Sequence, residues 1–136
     1  MQLKSHVNKN YILTLKKKVS LKALEIISNA ETIAIGSGST VNEFIKILAE
    51  SKKKISVICA SISSEKLAIK LGLNVLPFYT PFEVEYYVDG ADEVDSHKNM
   101  IKGGGGALTR EKTLSQFSGK FICIVDESKK VENFGK

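Results

Sequence analysis

The sequence has 136 residues, 43% of them hydrophobic and 26% charged, which suits one domain with a buried core and is too short for two ordinary domains. Its net charge of +5 fits an anionic partner. The lysines are scattered and are not interleaved with aromatic residues, which argues against a nucleic-acid partner. No apolar run approaches the ~20 residues that cross a bilayer, and no signal peptide is evident. We therefore expect a cytoplasmic protein that does not bind membranes, with Cys59 and Cys123 as buried free thiols.

Taken in chain order, the hydrophobic pattern predicts alternating helices and strands. Apolar residues at three- and four-residue spacing predict helices at 12–28, 64–71 (ended by Gly72) and 108–117. The solvated face of the first helix is predicted to carry Lys16, Lys17, Lys18 and Lys22, and its buried stripe includes Ile26. Thr40 is predicted to cap a further helix, with Glu43 completing a capping box. Short apolar runs predict strands at 32–35, 55–59, 74–76, 85–88 and 121–125.

This alternation predicts the α/β class. We expect one catalytic-type domain over residues 1–136, built as a three-layer, Rossmann-like, mostly parallel sheet with helices on both faces. Polar or glycine-rich segments follow three of the strands, at 36–40, 89–95 and 126–129. Because open α/β sheets bind ligands beyond the carboxyl ends of their strands, we expect these three loops to converge on one crevice.

The segment 36–40, Gly-Ser-Gly-Ser-Thr, precedes a predicted helix, where backbone N–H groups and the helix N-terminus can bind an anion. It is not a Walker A loop, because no lysine follows the glycines. It is not a dinucleotide fingerprint either, because Val41 stands where the third glycine belongs. Taken alone, this loop is equally consistent with a phosphate site and with a tight turn.

The segment 89–95 carries four carboxylates, those of Asp89, Asp92, Glu93 and Asp95. Its spacing does not fit an EF-hand, which requires glycine at position 94 and glutamate at position 100. A magnesium site stays open but has no second acidic motif to support it. We expect Asp89 and Asp92, three residues apart on a turn, to hold sugar hydroxyls; the alternative is an acidic surface turn.

Lys102 stands directly before four glycines, and Glu111 falls one to two turns into the helix predicted after them. Consecutive glycines are conformationally costly, so they favour close approach of the backbone to a ligand over a flexible linker. A carboxylate base, an ammonium group and a phosphate cradle suit aldose–ketose isomerisation through an enediolate. General base catalysis contributes about 10²–10⁴-fold, whereas enzymes typically reach about 10⁶-fold or more. Oxyanion stabilisation by Lys102 and the glycine amides is therefore also needed.

Four segments resemble, in order and spacing, those of the ribose-5-phosphate isomerase A family. They are GSGST at 36–40, DGADEVD at 89–95, KGGGGALTREK at 102–112 and FICIVDESKK at 121–130, and the resemblance runs from about Thr32 to Lys136. It implies reversible conversion of ribose 5-phosphate to ribulose 5-phosphate in the non-oxidative pentose phosphate pathway, without a metal ion or organic cofactor. It also implies a C-terminal α+β lobe in the family that is missing from this chain, and a homodimer if the fold is completed.

The resemblance implies roles for individual residues. Glu111 matches the general base, Lys102 and Asp89 match groups that assist ring opening and stabilise the enediolate, and Asp92 lies beside them. The implied substrate-binding positions are Ser37, Gly38, Ser39, Thr40, Asp89, Gly90, Ala91, Asp92, Lys102, Gly103, Gly104, Gly105 and Lys129. The alternatives to an active isomerase are a non-catalytic sugar-phosphate-binding module and an inactive remnant of the enzyme.

Overall fold

Parallel strands form the centre of the molecule. The computed structural model describes residues 2–78, 84–90, 93–94, 100–101 and 118–125. The five strands of the main sheet are β1 (Thr32–Ile35), β2 (Ser56–Cys59), β3 (Asn74–Leu76), β4 (Val84–Asp89) and β7 (Ser118–Cys123). Their spatial order is β3-β2-β1-β4-β7, and every neighbouring pair is parallel. A separate antiparallel ribbon pairs β5 (Glu93–Val94) with β6 (Met100–Ile101). The predicted α/β class is confirmed.

In the described part of the chain, three helices cover one face of this sheet: α1 (Gln2–Ile26), α2 (Ser39–Glu50) and α3 (Ile62–Lys70). They share one hydrophobic cluster with alternate strand residues. Its buried members include Ala23, Ile27, Phe44, Leu48, Ala68, Ile33, Ile35, Val57 and Cys59. Ala34, Ile58 and Tyr87 point to the opposite face and form a second cluster. The helix predicted at 108–117 lies outside the described residues.

Burial on both faces explains why the central strands are continuous apolar runs. Ile33, Ala34 and Ile35 are all fully buried, although successive side chains of a strand point to opposite faces. A strand in the middle of a helix-covered parallel sheet has no solvated side, so it shows no alternation of polar and apolar residues. The predicted bounds of β1 and β3 agree with the structure residue for residue.

Helix α1 departs from its predicted bounds. It begins at Gln2 and not at residue 12, because the segment contains no glycine or proline that would stop it. Ile26 was predicted in the buried stripe and is 48% exposed, which corrects that prediction. Lys17, Lys18 and Lys22 are exposed as expected, whereas Lys16 is half-buried.

The ends of α3 follow local rules. Ser61 caps the helix, its Oγ accepting a hydrogen bond from the Ser64 N–H at 3.1 Å. At the other end Gly72 adopts φ 85°, a left-handed conformation that glycine takes without strain, and the Leu73 N–H donates to the Ala68 carbonyl at 3.0 Å. The prediction that Gly72 ends this helix is therefore confirmed.

Candidate functional site

The strand order places a topological switch point between β1 and β4. From β1 the chain proceeds to β2 and β3 on one side, whereas β4 and β7 lie on the other side. The loops after β1 and β4 begin next to each other, because the Gly36 N–H donates to the Val88 carbonyl at 2.9 Å. Beside them, the Ile124 N–H donates to the Asp89 carbonyl at 2.8 Å as β7 ends. This is where open α/β sheets bind ligands.

The predicted convergence of loops is therefore observed for the part that the structure describes. The ends of β1, β4 and β7 meet at one edge of the sheet. Residues 126–129, including Lys129, lie outside the described residues. The same holds for Ala91, Asp92, Lys102, Gly103, Gly104, Gly105 and Glu111.

The loop after β1 leads into α2 through Gly38. This glycine is the N-cap, with φ 117° and ψ 174°, a conformation that L side chains rarely adopt. Because Gly38 makes the turn, the helix starts at Ser39 and its N-terminus has no side-chain cap among the described residues. The prediction that Thr40 is the N-cap is wrong, since Thr40 lies inside the first turn and is 7% exposed.

Lys16 reaches this helix start from α1. Its Nζ donates a hydrogen bond to the Ser39 Oγ at 2.8 Å. A helix N-terminus carries partial positive charge, so a cation there is unfavourable by about 0.3–1 kcal/mol unless an anion joins it. The lysine, the Ser39 hydroxyl and the first-turn N–H groups of α2 together form a cradle for an anion. The sequence interpretation missed Lys16, treating it as one of several solvated lysines.

Asp89 lies at the end of β4 and is only 1% exposed. Its Oδ2 accepts a hydrogen bond from the Tyr87 hydroxyl at 2.6 Å. Its Oδ1 accepts from the Gly90 N–H at 2.7 Å and, across the strand boundary, from the Ser37 N–H at 3.4 Å. The carboxylate thus joins the loop after β1 to the loop after β4. Asp89 therefore contacts two other predicted site residues, Ser37 and Gly90.

Two further contacts hold the same loop. A Cβ atom built on Gly36 would overlap the Asp89 carboxylate, so glycine at this position gives the acid its space. The buried Ser64 of α3 donates its hydroxyl hydrogen to the Gly36 carbonyl at 2.7 Å. The sequence interpretation found neither Ser64 nor Tyr87. Ser64 bonds a carbonyl 28 residues away, and Tyr87 lies on a segment that was predicted only as a strand.

Cys59 ends β2 close to this edge and is buried. Burial, with a smaller contribution from the Glu65 carboxylate, raises the pKa of its thiol from 9.0 to about 12. The thiol is therefore protonated at neutral pH and is a core group, not a nucleophile. Cys123 is half-buried, so the expectation of a fully buried thiol holds for Cys59 only; both cysteines are free.

Metal and membrane features are lacking in the described part of the chain. Within it, no group of three or more His, Cys, Asp or Glu side chains is placed to hold a metal ion. Among the same residues, no helix combines the length and the apolar character that crossing a membrane requires.

The family profile described as ribose 5-phosphate isomerase A (phosphoriboisomerase A) matches residues 56–136, more than half of the chain. The chain belongs to this family. The ribose-5-phosphate isomerase A of Haemophilus influenzae is 48% identical over 124 residues, which are 90% of this chain and 57% of that protein. The same enzyme of Histophilus somni is 45% identical over the same shares. The chain spans just over half the length of these curated relatives.

Solved structures agree with this assignment to the ribose 5-phosphate isomerase A family. Ribose 5 phosphate isomerase A from Neisseria gonorrhoeae superposes with a TM-score of 0.83 at 43% identity, covering 90% of this chain and 55% of that one. A D-ribose-5-phosphate isomerase in complex with phospho-erythronic acid gives a TM-score of 0.85 at 37% identity, covering 90% and 56%. The family predicted from the four segments is therefore confirmed.

Proposed function

We propose that the chain carries the catalytic centre of an isomerase that interconverts ribose 5-phosphate and ribulose 5-phosphate through an enediolate. The observation that carries the proposal is the placement of Lys16 at the N-terminus of α2, next to the loop that Asp89 anchors. The names of the relatives and the phospho-erythronic acid complex of one of them support the same substrate class.

The cradle of Lys16, Ser39 and the first turn of α2 is the proposed phosphate site. A phosphate monoester carries up to two negative charges and would offset both the lysine and the helix dipole, which reinforce each other here. Gly38 lets the backbone approach the ligand closely. Binding the phosphate orients the sugar, which contributes to catalysis although the phosphate does not react.

The reacting carbons would then extend towards the end of β4. We assign Glu111 as the base that moves the proton between C1 and C2, and Lys102 as the cation that stabilises the enediolate oxygen. Asp89 and Asp92 would hold the sugar hydroxyls and assist ring opening. The β5–β6 ribbon joins the segment after β4 to the one that starts at Lys102, since Glu93 pairs with Ile101. The proposal involves no metal ion or organic cofactor, because the chain supplies base, cation and phosphate ligands.

The remaining parts of the proposal follow from the family. We propose one α/β catalytic-type domain over residues 1–136, a cytoplasmic enzyme of the non-oxidative pentose phosphate pathway, and a homodimer. Light scattering on the purified protein tests the dimer, which a monomeric mass at micromolar concentration would contradict.

The decisive experiment measures ribulose 5-phosphate formation by the purified protein and its variants. Glu111→Gln should lower kcat by about 10²–10⁴-fold, the usual contribution of a general base, with the affinity for ribose 5-phosphate retained. Lys16→Met should raise KM about tenfold or more, because a hydrogen bond to a charged group contributes about 1.5–3 kcal/mol. Lys17→Met is the matched control, since Lys17 is exposed on the same helix and should leave KM unchanged.

Three results would each contradict part of the proposal. Calorimetric binding of ribose 5-phosphate without turnover would indicate a binding module, and equal activity of the wild type and Glu111→Gln would remove Glu111 from its role. Equal KM values for Lys16→Met and Lys17→Met would show that the phosphate does not bind at the start of α2.

A further inference from the structure

The Asp89 carboxylate is held from two directions. Backbone N–H groups of Ser37 and Gly90 bind Oδ1, and the Tyr87 hydroxyl binds Oδ2 at 2.6 Å. Tyr87 and Asp89 are two positions apart on β4, so their side chains emerge on the same face of the sheet. Both side chains are buried, Tyr87 completely.

These two sets of donors have separable consequences. The bonds to Oδ1 tie the acid to the loop of the proposed phosphate site, and Ser64 holds that loop independently through the Gly36 carbonyl. The bond to Oδ2 comes from a side chain of β4 itself. It holds the second oxygen and, together with the bonds to Oδ1, fixes the rotation of the carboxylate plane about the Cβ–Cγ bond.

The Tyr87 hydroxyl is itself fixed in place. Its ring packs against Phe121 of β7, with centroids 5.4 Å apart and ring planes at 42°. It also belongs to the cluster with Ala34 and Ile58 on the second face of the sheet. A short O–H···O⁻ bond is among the stronger hydrogen bonds in proteins. A ring that packs against Phe121 and within the cluster of Ala34 and Ile58 cannot move with a carboxylate that rotates.

We propose that Tyr87 is a positioning residue for the isomerase reaction, fixing the orientation of the Asp89 carboxylate towards the sugar; this rests on the proposed function of Asp89. Tyr87 does not touch the substrate. Its hydroxyl holds Oδ2 in the orientation in which the carboxylate accepts hydrogen bonds from the sugar hydroxyls. Loss of this orientation should therefore raise the energy of the transition state more than it weakens the binding of the phosphate.

The test is the variant Tyr87→Phe, which removes one oxygen and retains the ring that packs against Phe121. We expect kcat for ribose 5-phosphate to fall about tenfold, while KM changes by less than about twofold because the phosphate loop keeps its Oδ1 and Ser64 anchors. Tyr86→Phe is the matched control: the same change on the same strand, on the opposite face. It should leave both constants unchanged.

A double-mutant cycle asks whether Tyr87 acts through Asp89. In an Asp89→Asn background, Tyr87→Phe should have less than about a twofold further effect on kcat, whereas independent action would preserve the tenfold loss. A proportional fall of kcat and rise of KM accompanied by a lower melting temperature would show a structural role and overturn the proposal. So would a Tyr87→Phe enzyme equal to Tyr86→Phe.

Binding of 4-phospho-erythronic acid, measured by calorimetry, separates this proposal from the proposed function. Its planar carboxylate resembles the enediolate, so its affinity should follow kcat and weaken about tenfold in Tyr87→Phe and not in Tyr86→Phe. A wild type that binds the acid without turnover refutes the isomerase activity, and the affinities of the two variants still decide the role of Tyr87. A wild type with neither turnover nor binding overturns both.

Discussion

A methyl group on Gly36 would occupy the space of the Asp89 carboxylate, which makes Gly36→Ala the sharpest test of how the two loops pack. The carboxylate would have to leave its position, since it is 1% exposed and enclosed by the strand ends. Overpacking of a core typically costs about 1–3 kcal/mol. Losing one of the hydrogen bonds to the carboxylate adds about 1.5–3 kcal/mol. We expect Gly36→Ala to lower the free energy of unfolding by about 2.5–6 kcal/mol.

Urea unfolding followed by circular dichroism measures this loss. Gly90→Ala is the control, because a Cβ at Gly90 would meet its nearest neighbour, the Ile124 carbonyl oxygen, at an ordinary 3.6 Å. Gly36→Ala combined with Asp89→Ala should recover part of the loss, because the overlap disappears with the carboxylate. A Gly36→Ala protein within about 1 kcal/mol of the wild type would refute the close packing of Gly36 on Asp89.

Two further predictions concern buried groups away from this contact. The Ser20 hydroxyl is buried without a hydrogen-bond partner within the described structure, so Ser20→Ala should raise the unfolding free energy by about 1–2 kcal/mol in the same urea assay, and a destabilised variant would contradict this. With its pKa raised from 9.0 to about 12, the Cys59 thiol should contribute stability that is complete below pH 9 and is lost as the pH rises through 12. At pH 8 its thiolate fraction is lower by about a thousandfold, so in a Cys123→Ser variant a thiol reagent should label the native protein far more slowly than the urea-unfolded protein; equal rates would contradict the raised pKa.

The sequence predicted correctly those elements that neighbouring residues along the chain determine. β1 is a short apolar run that stops at Gly36, β3 stops at Pro77, and Gly72 supplies the left-handed residue that ends α3. The strands β5 and β6 have two residues each, which is too short for an alternation pattern to appear, so the ribbon was not predicted. The error at Thr40 has a similar origin: a capping box reads side chains, whereas Gly38 starts α2 through its backbone conformation.

The contacts that build the site were harder to predict because they join distant segments. Lys16 and Ser39 are 23 residues apart, and nothing in the run of three lysines distinguishes the first from the others until α1 lies against α2. Tyr87 lies in a segment that was predicted only as a strand; its ring is in the core, whereas its hydroxyl binds Asp89. Ser64 looked like a helix-start residue, whereas its hydroxyl bonds a carbonyl 28 residues earlier.

The position of the Asp89 carboxylate explains why residue 36 is glycine, and the absent side chain of Gly36 explains how the carboxylate fits. Read in isolation, the first glycine of the loop after β1 looks like a residue for phosphate approach, and Asp89 looks like a substrate ligand. In the structure the glycine accommodates the carboxylate, and the carboxylate binds the Ser37 N–H that follows it. A larger residue at position 36 would therefore displace the acid and loosen the loop together. The two motifs, 52 residues apart between Ser37 and Asp89, form one packing unit, so variants in either should change both phosphate binding and the orientation of the acid.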